Sequence, residues 1–152
     1  MLYSPAETDP NAIAAERQLN TQQYDSAIFS FTQLINVNPG VKELYFNRGL
    51  CYSHTSQFAQ AIKNFNICIA LDSNFKDARY LKALSLEKQG KNDMAILEFQ
   101  QLYKADKTYD AWEKRIKTYR VSVYLSRNWY YMIAVAGLLI MLMGFAISAA
   151  AW

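Results

Sequence analysis

Residues able to do chemistry are few in this chain, and they do not converge. One histidine, His54, and two cysteines, Cys51 and Cys68, are the available nucleophile and metal-ligand types in 152 residues. Acid–base work by His54 would need a Ser, Cys or Asp partner, and the sequence offers none at an evident spacing. The cysteines form no C-x-x-C motif, no Cys/His cluster has metal-ligand spacing, and the pair neither demands nor excludes a disulfide. Gly49 and Gly90 stand alone and make no phosphate loop. The carboxylates are spread over what read as solvated helix faces. The expectation is therefore no enzyme, with no catalytic residue, no metal and no cofactor. The net charge is +3, too little for the basic face that nucleic-acid binding requires, so no nucleic-acid partner is expected.

The elements that position these residues follow a fixed period. Ala27-Ile28-x-x-Phe31 recurs as Ala61-Ile62-x-x-Phe65 and as Ala95-Ile96-x-x-Phe99, offset by 34 residues both times. Tyr24 and Phe58 match in the same way, and Ala15, Gly49 and Ala83 fall in register upstream. A small residue there lets two helices approach, and a phenylalanine fills the space beside them. No single helix pair can bury its own apolar face, so the units must stack. Asp9-Pro10 reads as an N-cap followed by proline at the first helical position. Asn38-Pro39-Gly40 reads as a stop and turn.

On these residues the chain resembles the tetratricopeptide repeat (TPR) family over about residues 8–109. The middle copy is the fullest match, with Tyr45, Gly49, Tyr52, Phe58, Ala61, Phe65 and Cys68 at signature positions. Departures occur at Asn11 and Gln18 in the first copy, Ser73 in the second, and Arg79 and Asn92 in the third. The resemblance implies an all-α fold: three stacked helix-turn-helix repeats at 8–41, 42–75 and 76–109 behind a short N-terminal arm, 1–7. It makes Cys68 a small core residue. Trp112, Ile116, Tyr119 and Val123 recur at helical spacing, so residues 110–127 read as an amphipathic capping helix over the open end of the stack.

In a TPR stack the first helix of each pair lines a concave face, and an apolar patch there suggests a protein partner. By register this partner groove carries Ile13, then Phe46, Asn47, Leu50 and His54, then Tyr80, Leu81 and Leu84. The occupant is a segment of another subunit or peptide, or the chain's own arm through Leu2 and Tyr3. Chaperone-binding members hold a C-terminal carboxylate with a clamp of lysines, asparagines and an arginine. The matching positions here are Ala12, Glu16, Asn47, Asp77 and Leu81, of which only Asn47 agrees. Heat-shock chaperone tails are therefore not expected as partners.

The last segment, 128–152, has no charged residue, and its apolar run from Trp129 to Ala151 is 23 residues. At 1.5 Å per residue that is about 35 Å, enough for one transmembrane helix. Trp129, Tyr130 and Tyr131 at one end and Trp152 at the other suit the two headgroup regions. Five basic residues and no acidic ones lie between Lys114 and Arg127. They predict that the repeats stay on the cytosolic or matrix side. The N-terminus has no apolar, basic signal region, so a single-pass C-terminal tail anchor is expected, with a mitochondrial membrane preferred. Ala134, Gly137, Met141, Gly144, Ser148 and Ala151 share one helix face. Gly137, Gly144, Ser148 and Ala151 form its small-residue seam, suited to packing on another membrane helix.

The resulting reading is a non-catalytic, membrane-anchored interaction module, an accessory or assembly subunit of a larger membrane complex. The alternative is a tail-anchored receptor that recruits soluble partners. Its layout of arm, TPR-like bundle and anchor is similar to the mitochondrial fission adaptor family, although this chain ends in Ala-Ala-Trp where that family ends in basic residues.

Overall fold

The computed structural model describes residues 9–105, 116–118, 121, 124–125 and 127–149, with the side chains of 132 and 144–149 excepted. The expected arm and most of the expected capping segment lie outside the described residues.

Six helices form three antiparallel pairs: α1 (Pro10–Asn20) with α2 (Tyr24–Val37), α3 (Lys42–His54) with α4 (Phe58–Leu71), and α5 (Lys76–Lys88) with α6 (Asn92–Ala105). Each helix packs on the next, and α1 also touches α3. A seventh helix, α7, spans Trp129–Ala149. Asp9 starts α1 as the sequence predicts: its carboxylate accepts the Asn11 amide at 2.9 Å, and proline follows. α2 ends at Val37, before Asn38-Pro39-Gly40.

The turn inside each pair is built the same way three times. Gln22, Ser56 and Gly90 adopt positive φ (62°, 60° and 74°). The following amide, of Gln23, Gln57 or Lys91, donates back to the carbonyl of Gln18, Tyr52 or Leu86 at 2.8–2.9 Å. This left-handed residue satisfies the last carbonyls of the first helix. Only the third copy uses glycine, so the sequence signals this turn only once.

The core follows the period. Phe31, Phe65 and Phe99 are fully buried, as are Ala15, Ala27, Ala61, Ala83 and Ala95. Burying each phenylalanine stabilises by ~1.5–3 kcal/mol. At Gly49 the close approach is to the ring of Phe65: an added Cβ would lie 2.7 Å from its Cε1. One cluster runs from α1 to Ala78 of α5; a second joins α5, α6 and Ile116. Ile116 is the described member of the expected capping set. Trp112, Tyr119 and Val123 lie outside the described residues.

Among the described residues no helix is long and apolar enough to cross a membrane. Side chains of α7 are described only from Trp129 to Met143, a rise of about 21 Å, short of a ~30 Å hydrocarbon core. The transmembrane expectation is thus not met on the described part of the helix. In the expected seam, a Cβ at Gly137 would meet nothing within 4 Å. The surroundings of Gly144 and the side chain of Ser148 are undescribed, and Ala151 lies outside the described residues.

Candidate functional site: the concave face of the stack

The expected groove residues lie on α1, α3 and α5, and they differ in how free they are. Phe46 is half-buried and packs on the first core cluster, its ring 6.1 Å from Phe65 and 4.9 Å from Phe75. Tyr80 stands in the equivalent place one repeat on, edge-on to Phe99 at 6.2 Å. Leu81 leans on the first cluster and Leu84 on the second. Leu50, half-buried, and Ile13, 45% exposed, belong to neither cluster. Asn47 lies half-buried between Phe46 and Arg48 along α3. Two aromatic rings of this set, Phe46 and Tyr80, are thus tied to the core, whereas Leu50 belongs to neither cluster.

Of the clamp positions, Ala12 is buried, Glu16, Asn47 and Leu81 are half-buried, and Asp77 is exposed. His54 is exposed, and its ring stacks on Tyr24 from the first repeat, 4.8 Å apart and nearly parallel. Both thiols are buried. Burial pushes Cys51 up to about 11 and Cys68 to about 12, and Cys68 Sγ donates to the Lys42 carbonyl at 3.3 Å. Thiols held so far above neutrality are poor nucleophiles and ligands.

Sequence reasoning missed the polar ties that set the repeats against one another. Arg48 Nε donates to Asn64 Oδ1 at 2.9 Å and its Nη1 to Thr32 Oγ1 at 3.0 Å, joining α3 to α4 and to α2. The equivalent positions in the third repeat hold Lys82 and Glu98, 2.6 Å apart, and Arg79 adds a second cation to Glu98 at 3.0 Å. Lys42 pairs with Asp72; that contact holds the Asp72 carboxyl below its usual range and the Lys42 ammonium above its own. Arg79, which breaks the aromatic signature, reaches the Ser73 carbonyl at 3.5 Å, the place where Tyr45 meets the Pro39 carbonyl at 3.1 Å. The signal available was the 34-residue period applied to polar positions as well as apolar ones.

Comparison with known proteins fits this geometry. The profile of a family described as "Anaphase-promoting complex, cyclosome, subunit 3" matches residues 20–102, more than half of the chain. The chain is 29% identical over 90 residues to mouse serine/threonine-protein phosphatase 5, covering 59% of this chain and 18% of that protein. The chain spans less than a quarter of each curated relative it matches. Among solved structures it is similar to the first TPR of Spaghetti (RPAP3) bound to the HSP90 peptide SRMEEVD, with TM-score 0.67, 17% identity, and coverage of 73% of this chain and 88% of that one. It is also similar to the second TPR domain of human RPAP3 in complex with the HSP70 peptide SGPTIEEVD, with TM-score 0.66, 17% identity, and coverage of 72% and 92%. The described stack has the TPR fold, which typically serves as a scaffold for protein–protein interaction.

One expectation is corrected by these similarities. Heat-shock chaperone tails were set aside because four of five clamp positions disagree. Yet the fold found holding an HSP90 and an HSP70 tail is the fold of this chain. Five side chains test one clamp pattern only, so the expectation against such tails does not stand.

Proposed function

We propose, from the premise that this chain belongs to the anaphase-promoting complex, cyclosome, subunit 3 family, that it is a membrane-held interaction subunit whose concave face takes a segment of a partner protein. The observation that carries this is Leu50: half-buried, outside both core clusters, and one helical turn from Phe46 on α3. A partner's apolar side chain would complete its burial, and the neighbouring Phe46 and Tyr80 rings already pack on the core, which lowers the entropy cost.

Membrane attachment rests on α7. Every described side chain in it is exposed, from Trp129 at 61% to Met143 at 66%, and none is charged. A helix apolar all round needs either a protein core or lipid about it. The sequence stays uncharged to Trp152, which supplies the remaining length of a span. The basic flank favours the repeats on the cytosolic or matrix side, of a mitochondrial membrane by preference. The role that follows is an accessory or assembly subunit of a larger membrane complex, with the seam of Gly137, Gly144, Ser148 and Ala151 against a partner's membrane helix. Gly144→Leu tests it. The variant should still insert in the membrane but leave the complex on native gels; a retained complex sinks the subunit role.

Recruitment of soluble partners is the second reading, favoured by the likeness to domains bound to HSP90 and HSP70 peptides. Its test is fluorescence anisotropy with labelled SRMEEVD. Saturable binding that Asn47→Ala weakens supports recruitment, and the absence of binding removes chaperone tails as the recruited ligand.

A further inference from the structure

The outer side of the first repeat carries a cleft of about 410 Å³ between α1 and α2, lined by Asp9, Ala14, Phe29, Ser30, Leu34 and Val37 among others. Its origin is visible in the period. Where the second repeat holds the Arg48–Asn64 pair and the third holds Lys82–Glu98, the first has Ala14 and Ser30. The polar pair found at this place in the inner repeats, with its long cationic side chain, is absent here. The lining is mixed, with Asp9, Asn11, Ser30, Gln33 and Asn38 as its polar part, but its apolar walls stand open: Phe29 is 67% and Val37 77% exposed, on one stripe of α2. A solenoid end of this kind calls for a cap.

We infer that the cap is the chain's own first segment, with Leu2 and Tyr3 seated in the cleft between Ala14, Phe29 and Val37. Three observations favour this occupant. The chain enters α1 at Asp9, which itself lines the cleft. Asp9 is extended (φ −94°, ψ 113°), as a residue before proline prefers, so the helix does not run back through it. The reach suffices: eight extended residues cover up to about 26 Å, whereas Phe29 to Val37 rises only about 12 Å along α2. Seating a tyrosine and a leucine would remove these apolar walls from water and leave the concave face open to a partner. The arm was expected to compete for that concave groove; the end cleft gives it a different seat.

The test places p-benzoylphenylalanine at Tyr3 of the full chain, followed by photolysis and peptide mapping. The expected product has the mass of one chain and joins position 3 to the α2 peptide that contains Phe29 and Val37. Ala14→Arg, which restores the long side chain found at Arg48, should abolish that product with helicity unchanged. Should Ala14→Arg lower helicity, the exposed pair Phe29→Ser/Val37→Ser takes its place. Cross-links to α3 or α5 near Leu50 or Leu84, products of two chains, an α2 product that survives these substitutions, or no product at all would each overturn the inference.

Discussion

In the second repeat a neutral amide, Asn64, receives the guanidinium of Arg48; in the third, a carboxylate, Glu98, stands at the equivalent position and holds both Arg79 and Lys82. The first arrangement reaches backward, since Arg48 also donates to Thr32 of the preceding repeat. The second joins the two helices of the third repeat by ion pairs, and its Arg79 also reaches the Ser73 carbonyl of the second repeat. Two further pairs differ in the same way: Gly49 against Ala83 at the helix crossing, and Ser56 against Gly90 at the turn. One backbone frame thus accepts different local chemistry. Arg48 of the second repeat works through neutral acceptors on two repeats, whereas Glu98 of the third works through two charges of its own repeat.

The largest expected effect comes from Glu98→Ala. The two cations it leaves are about four-fifths buried, with side-chain exposures of 22% and 17%. Losing their shared partner should cost about 2 kcal/mol, below the range for fully buried pairs because some solvent remains. Asn64→Ala should cost about 1 kcal/mol, because Arg48 keeps Thr32. Urea denaturation of the full chain separates them, and high salt should shrink only the Glu98 loss. Equal losses, or equal salt dependence, would break the contrast.

Gly49→Ala sharpens it. Helix propensity favours alanine by ~0.5–1 kcal/mol, but the methyl would press on the buried Phe65 ring, at a cost of ~1–3 kcal/mol. The net expectation is a loss of about 1 kcal/mol, measured as a lower urea midpoint. A gain would mean the Phe65 contact does not require glycine.

The smallest effect is at the turn. Ser56 sits at φ 60°, where the third repeat has Gly90. Ser56→Gly should stabilise by about 0.5 kcal/mol as backbone strain is relieved. A loss in thermal melts would mean the serine contributes more than a left-handed turn residue.

Apolar periodicity carried most of the fold into view. Ala27, Phe31 and their copies are core because an aromatic or small residue repeated every 34 positions has only one packing solution in a stack. Asp9-Pro10 was equally plain, because capping is local. The polar ties were hidden, since Arg48, Thr32 and Asn64 come from three helices whose crossing geometry the sequence does not state. Arg79 read as a flaw in the signature until its contacts with Glu98 and Ser73 placed it. The left-handed turn was silent at Gln22 and Ser56, which carry no glycine signal. For the expected concave face, register names a set of positions on α1, α3 and α5. Only packing separates Phe46, Tyr80, Leu81 and Leu84, which lean on the core, from Leu50, which does not.

Leu50→Asp is the most direct test of the claim that this face binds a partner. The full chain and the variant would be purified in mild detergent from their native membrane, with bound proteins quantified by mass spectrometry and helicity by circular dichroism. A buried carboxylate without a partner is costly, so the account predicts partner recovery reduced at least about tenfold with helicity unchanged. Partner recovery equal to that of the unmodified chain would contradict it, and so would loss of helicity, because Leu50 would then be part of the core.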